Sequence, residues 1–138
     1  MALGKHPDKY KAGVAGVPVA DYELDYDKYP AQVIALDKIL LGGKKPSQLP
    51  ELMADRNPVN FVTQVKAPIL FIAGRYDMQC LLSQVMSYVN KLDKKTQEYE
   101  LYVFEAGHGT EDIKENIKQA DIINKFLIKH IPGIKINK

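Results

Sequence analysis

Two residues in this chain have the type and the setting for acid–base chemistry. Asp77 closes the run Gly74-Arg75-Tyr76-Asp77, and His108 stands between Gly107 and Gly109. Each follows an apolar run that reads as a strand. A histidine flanked by glycines directly after a strand is poorly suited to core packing and well suited to a loop that presents its imidazole. A carboxylate on the neighbouring strand's loop can accept the proton-bearing ring nitrogen, which sets the tautomer and leaves the other nitrogen to act as a base. Taken singly, His108 is equally a structural imidazole, and Asp77 a loop carboxylate or helix N-cap. Their joint placement favours the functional reading.

The elements that must position them follow from hydrophobic pattern. Residues 12–17, 69–73 and 99–104 are short runs rich in β-branched or aromatic residues that stop at turn formers, the signature of buried parallel strands. Leu82, Val85, Met86, Val89 and Leu92 recur at helical spacing, and Ile113, Ile117, Ala120, Ile123 and Leu127 do so further on. Thr110 is the expected N-cap of that last helix, with Glu111 and Asp112 suiting its positive end. Pro132 and Gly133 lie just past its end. Residues 18–67 carry five of the eight prolines and one clear helix, 31–41, stopped by Gly42-Gly43. This stretch reads as a long excursion between the first and second strands, of the kind that forms lids or substrate walls. Alternating strands and helices predict an α/β fold of about three parallel strands flanked by helices, one domain over residues 1–138.

An acid after one strand and a histidine after the next is the order α/β-hydrolases show downstream of their nucleophile. The resemblance becomes specific in four stretches: HPDKYKAGVAGVPVAD at 6–21, NPVNFV at 57–62, KAPILFIAG at 66–74, and Gly107-His108-Gly109. Together they make the chain similar to the C-terminal part of the catalytic domain of the prolyl oligopeptidase family, in particular its acylaminoacyl-peptidase and dipeptidyl-peptidase-like members. The resemblance implies an acid role for Asp77 and a base role for His108. It also implies a nucleophile serine in a Gly-x-Ser-x-Gly elbow upstream of Met1. The loop after the acid departs from the family, with Met78, Gln79 and Leu81 where a proline, an arginine and a second proline are common. Arg75 and Tyr76 are unusual there too, and face either substrate or solvent.

No serine here can be that nucleophile. Ser47, Ser83 and Ser87 are the only three, and none has flanking glycines. Ser83 and Ser87 read as helix surface or caps. Cys80, three residues after Asp77, reads as a buried inert thiol rather than a substitute. A histidine base without a positioned serine has no covalent step, so the chain alone is expected to be inactive. A peptide or ester substrate belongs to the complete enzyme, formed with an upstream half. The first strand, stripped of a neighbour, exposes an edge that seeks a partner, and a homodimer is expected.

The remaining classes are excluded by composition. Nineteen basic residues against seventeen acidic leave a net charge of +2, with the lysines dispersed, which argues against a nucleic-acid surface. No glycine loop cradles a phosphate, and no cofactor is expected. A single cysteine rules out both an internal disulfide and a thiolate cluster. His6 and His130 have no ligand pattern, and His108 with Asp112 offers too few donors, so no metal site is expected. The N-terminus has no signal-peptide character and no apolar run approaches the ~18 residues of a membrane span, from which a cytoplasmic location is expected.

Overall fold

In a computed structural model that describes residues 1–134, three strands form one parallel sheet. They are β1 (Gly13–Gly16), β2 (Ile69–Gly74) and β3 (Tyr99–Phe104), in the order β1-β2-β3. Gly13 lies opposite Ile69, and Ile69 opposite Tyr99. Five helices accompany the sheet: α1 (Ala2–Lys5), α2 (Ala31–Leu40), α3 (Pro50–Arg56), α4 (Leu82–Lys94) and α5 (Ile113–His130). Among the described residues no helix is long and apolar enough to cross a membrane.

Every residue of β2 is buried, because it has a strand on each side and helices on both faces. Its period of two divides the core. Ile69, Phe71 and Ala73 point to one face with Val85, Tyr88, Val89 and Leu92 of α4, and with Val59 and Val62 of a 3-10 turn at Pro58–Gln64. Leu70 and Ile72 point to the other, with Phe104 of β3 and Phe126 of α5. Both strand-to-strand connections thus pack on one face, where connections of one hand must fall when strand order advances in one direction. α5 follows the last strand and covers the opposite face.

The helical faces differ from expectation in part. On α4, Tyr88 is buried and Met86 is exposed. On α5, Ile113 and Ile117 are 72% and 64% exposed, while Ile122, Ile123, Phe126 and Leu127 meet the sheet. In the first half of α5 it is Glu115 and Lys118 that meet Tyr102 of β3, Glu115 accepting from its hydroxyl and Lys118 lying over its ring, so helical period alone misplaced the buried stripe there. The N-cap is also corrected. Asp112, not Thr110, caps α5, its carboxylate accepting from Lys114 N, while Thr110 Oγ1 accepts from Asp112 N.

The 18–67 excursion holds more structure than the single expected helix. Besides α2 it contains α3 and 3-10 turns at Tyr26–Lys28, Pro46–Gln48 and Pro58–Gln64. Three of these short elements open with a proline, whose fixed φ and missing N–H suit a first helical turn. They are too short to show a period. Two buried amides hold the excursion in place. Asn57 Oδ1 accepts from Tyr22 N (3.1 Å) and its Nδ2 donates to Asp21 Oδ1 (2.9 Å), tying the start of the excursion to its end. Gln84 Nε2, on α4, donates to Leu24 O (3.1 Å) and to the Tyr29 hydroxyl (2.6 Å).

Candidate active site

The carboxyl ends of β2 and β3 are bound together past the strands themselves. Arg75 N donates to Phe104 O (2.9 Å) and Tyr76 N to Ala106 O (3.0 Å), so the loops that follow leave the sheet side by side. Gly74 makes this possible. A Cβ there would lie 2.0 Å from Gly107 O and 2.8 Å from Ala106 O, both rigid backbone atoms. Gly109, at φ +124°, adopts backbone that L side chains rarely enter, and a backbone bridge between Gly107 and Gly109 pinches the loop with His108 at its tip.

Asp77 lies in the turn after β2 with its side chain fully buried. A buried carboxylate must be compensated by hydrogen bonds. Its Oδ1 accepts from Gln79 N and Cys80 N, both at 2.8 Å, and its Oδ2 lies 2.9 Å from His108 Nδ1. The loop-organising role and the histidine contact are therefore carried by different oxygens of one side chain. An ionised carboxylate only accepts, so Nδ1 carries the proton and Nε2 of the neutral ring is left as the basic nitrogen. The His108 side chain is 38% exposed, open enough to meet a reactant.

The excursion supports this arrangement from one side. Leu81, at the end of the acid loop, packs in a cluster with Tyr26 and Tyr29, with Val33 and Ile34 of α2 against them. Arg75 pairs with Glu105 across the two loops, and this holds the Glu105 carboxyl below its ordinary pKa. Both partners are largely exposed, so the pair adds little to stability in water. Tyr76 is 63% exposed.

Among the described residues no serine hydroxyl hydrogen-bonds His108. Ser83 Oγ, in the first turn of α4, donates to Asp25 Oδ2 at 2.6 Å, and Ser47 is exposed on a 3-10 turn. His130 packs its ring 4.6 Å from that of Phe126, far along α5 from the loops. Cys80 is buried, and burial, reinforced by the negative charge of Asp77, pushes its thiol up to about 11 from 9.0. This gap lowers the thiolate fraction about 100-fold at pH 8. Iodoacetamide should accordingly modify the native chain at least about 100 times more slowly at pH 8 than the urea-unfolded chain. Equal rates, followed by mass spectrometry, would show that Cys80 is neither buried nor suppressed.

A separate cleft of about 280 Å³ runs along β1, lined by Leu3, Tyr10, Val14, Pro18, Phe71 and Tyr88 among others, and neither Asp77 nor His108 borders it. It lies at the β1 edge of the sheet, where β1 alternates between half-buried and exposed residues. Sequence pattern alone missed Gly74 as a contact residue. It read there as a turn former, whereas what demands glycine is a neighbouring loop 33 positions away, Gly107.

Solved structures share this architecture. The Pyrococcus horikoshii acylaminoacyl peptidase superposes with a TM-score of 0.83 at 21% identity, over 99% of this chain and 22% of that one. A puromycin-hydrolysing peptidase of Mycobacterium tuberculosis gives 0.78 at 16% identity, over 94% and 20%. The Porphyromonas gingivalis dipeptidyl peptidase 4 gives 0.73 at 16% identity, over 94% and 17%. This chain thus spans about a fifth of the length of those proteins, and the likeness identifies its fold as a C-terminal portion of an α/β-hydrolase catalytic domain. The sequence profile of the prolyl oligopeptidase family matches residues 1–133, nearly the whole chain, and the chain belongs to that family.

Proposed function

We propose that this chain supplies the acid and the base of a serine-type acyl-transfer site, and that the nucleophile and most oxyanion donors come from a separate segment. The observation that carries this reading is the 2.9 Å contact between a fully buried Asp77 and a partly exposed His108. Asp77 orients the ring, and His108 Nε2 takes the proton of an attacking hydroxyl and returns it to the leaving group. None of the three serines sits in an elbow, so the 138 residues alone turn over no peptide or ester. The names of the fold's neighbours, an acylaminoacyl peptidase, a dipeptidyl peptidase and a puromycin-hydrolysing peptidase, support a peptide or amide substrate.

The test is complementation. The chain is mixed with a separately expressed α/β-hydrolase half that bears a Gly-x-Ser-x-Gly elbow, and hydrolysis of acyl-peptides and nitrophenyl esters is followed. Activity in the mixture and none in either part supports the reading. Labelling of this chain alone by a serine-directed phosphonate, abolished by replacing one of its three serines, would overturn it.

A second reading, a self-standing non-catalytic dimer, is favoured by the β1 side of the sheet. There Val14 is exposed and an apolar cleft lies open along unpaired strand backbone. In the absence of a complement, a second copy of the chain covers this edge about a two-fold axis. Sedimentation at micromolar concentration should report a dimer that dissociates as the complement is added. A stable monomer would count against it. The lone, buried Cys80 suits a reducing, cytoplasmic setting.

A further inference from the structure

We propose that Asp77, Cys80 and His108 together form a binding site for a thiophilic divalent cation, with Zn²⁺ the fitting ion. The inference stands on the geometry of these three side chains and not on the hydrolase reading, so either can fail without the other. One ligand atom from each residue, a carboxylate oxygen, a thiol sulfur and an imidazole nitrogen, lies within 4.8 Å of the other two. Sequence reasoning passed over this set because it weighed His108 with Asp112, whose carboxylate is instead spent on capping α5. Cys80 reads from sequence as a buried inert thiol, and thiolate clustering is excluded there by its being the only cysteine.

The donor chemistry selects the ion. A mixed sulfur, nitrogen and oxygen set suits Zn²⁺ and excludes Mg²⁺ and Ca²⁺, which take oxygen. Zinc bonds of roughly 2.0–2.3 Å place tetrahedral ligands about 3.3–3.7 Å apart, so the widest spacing here must close by about 1 Å. Two of the three ligands are already near that geometry, since Asp77 Oδ2 and His108 Nδ1 are 2.9 Å apart. The Gln79 and Cys80 amides hold the carboxylate still, and the partly exposed His108 ring is the ligand with room to adjust.

Charge also favours the ion. A thiolate and a carboxylate buried together are costly, and a dication offsets both. On binding, the Cys80 thiol gives its proton to water and a Zn–S bond forms. The His108 proton moves from Nδ1 to Nε2, which leaves the ring neutral. One proton is released per ion, and a water in the fourth position would complete the tetrahedron. An ion so placed occupies the contact between Asp77 and His108, so metal binding and acid–base use of the pair exclude one another.

The experiment titrates the reduced full chain with Co²⁺, read by the thiolate-to-cobalt charge-transfer absorption and the visible bands of tetrahedral cobalt. The absorption is expected to saturate at one equivalent, to be bleached by Zn²⁺, and to accompany release of one proton per ion in calorimetry across buffers. Cys80→Ala should remove the charge-transfer band and weaken binding at least about 100-fold, beyond what the loss of an outer-shell contact costs. His108→Ala should weaken it at least about tenfold. Absence of the band in the unaltered chain, or equal binding in Cys80→Ala, would overturn the site. Circular dichroism and urea midpoints without metal separate lost ligands from lost folding, and Cys80→Ser, nearly isosteric, replaces the alanine variant if that one unfolds.

Discussion

Replacing His108 with alanine should lower turnover by the complemented enzyme about a million-fold, and Asp77→Asn about ten-thousand-fold. The asymmetry follows from what each group does. Without the imidazole nothing removes the proton from the attacking hydroxyl, and what remains is the catalysis due to binding and oxyanion donors. Asparagine at 77 can still accept from the Gln79 and Cys80 amides through its oxygen, so the loop stays as it is. Its NH₂, however, would face His108 Nδ1 as a donor, which forces the ring proton onto Nε2 and leaves no base where one is needed. His108 Nδ1 is a partner of the fully buried Asp77 carboxylate, so its truncation should also lower the urea midpoint, by the equivalent of about 1–3 kcal/mol, far too little to unfold the complemented enzyme at working conditions. The measurement is kcat at saturating ester. If His108→Ala keeps more than about 1% of the activity, a fraction far above the loss expected for a general base, the imidazole is not that base.

Gly74→Ala is the second large effect, and it acts through space rather than through chemistry. The added methyl would sit 2.0 Å from Gly107 O, and no side chain stands between them to give way. Backbone must move instead, which breaks or lengthens the Arg75-to-Phe104 and Tyr76-to-Ala106 hydrogen bonds and pushes the His108 loop off the acid loop. Overpacking of this severity should destabilise the chain by about 3 kcal/mol. It should also reduce complemented turnover at least about 100-fold, since a displacement near 1 Å is enough for that. Gly16→Ala is the contrasting control, because nothing lies within 4 Å of its would-be Cβ. Its urea midpoint should match the parent's, or rise. Equal midpoints for the two alanine variants would mean that the strand ends are not in contact as described.

Much of the scaffold is written in short windows. β3 falls on the residues that pattern predicts, β2 gains only Gly74, and β1 is a shorter core of its predicted run, because alternation and turn formers are local properties. α2 stops within a residue of expectation, ahead of Gly42-Gly43. What failed to show locally has non-local causes. The start of the excursion, Asp21 to Tyr29, is held by Asn57 at the end of α3 and by Gln84, whose partners lie 34 to 60 positions away. The exposed first half of α5 is equally invisible in its own sequence. Ile113 and Ile117 have the right spacing, but Glu115 and Lys118, not they, meet Tyr102 of β3.

The amino-acid sequence by itself determined where the two chemical groups sit, Asp77 beyond β2 and His108 beyond β3, and that no serine in the 138 residues has an elbow around it. These depend on residue type and order. The tertiary structure alone decided that β2 lies between β1 and β3, which makes the two loops neighbours and brings Oδ2 within 2.9 Å of Nδ1. It also decided that Gly74 must have no side chain and that Cys80 sulfur stands beside the pair. Strand order and the packing of one loop on another create distances between residues some thirty positions apart, and no local period encodes them.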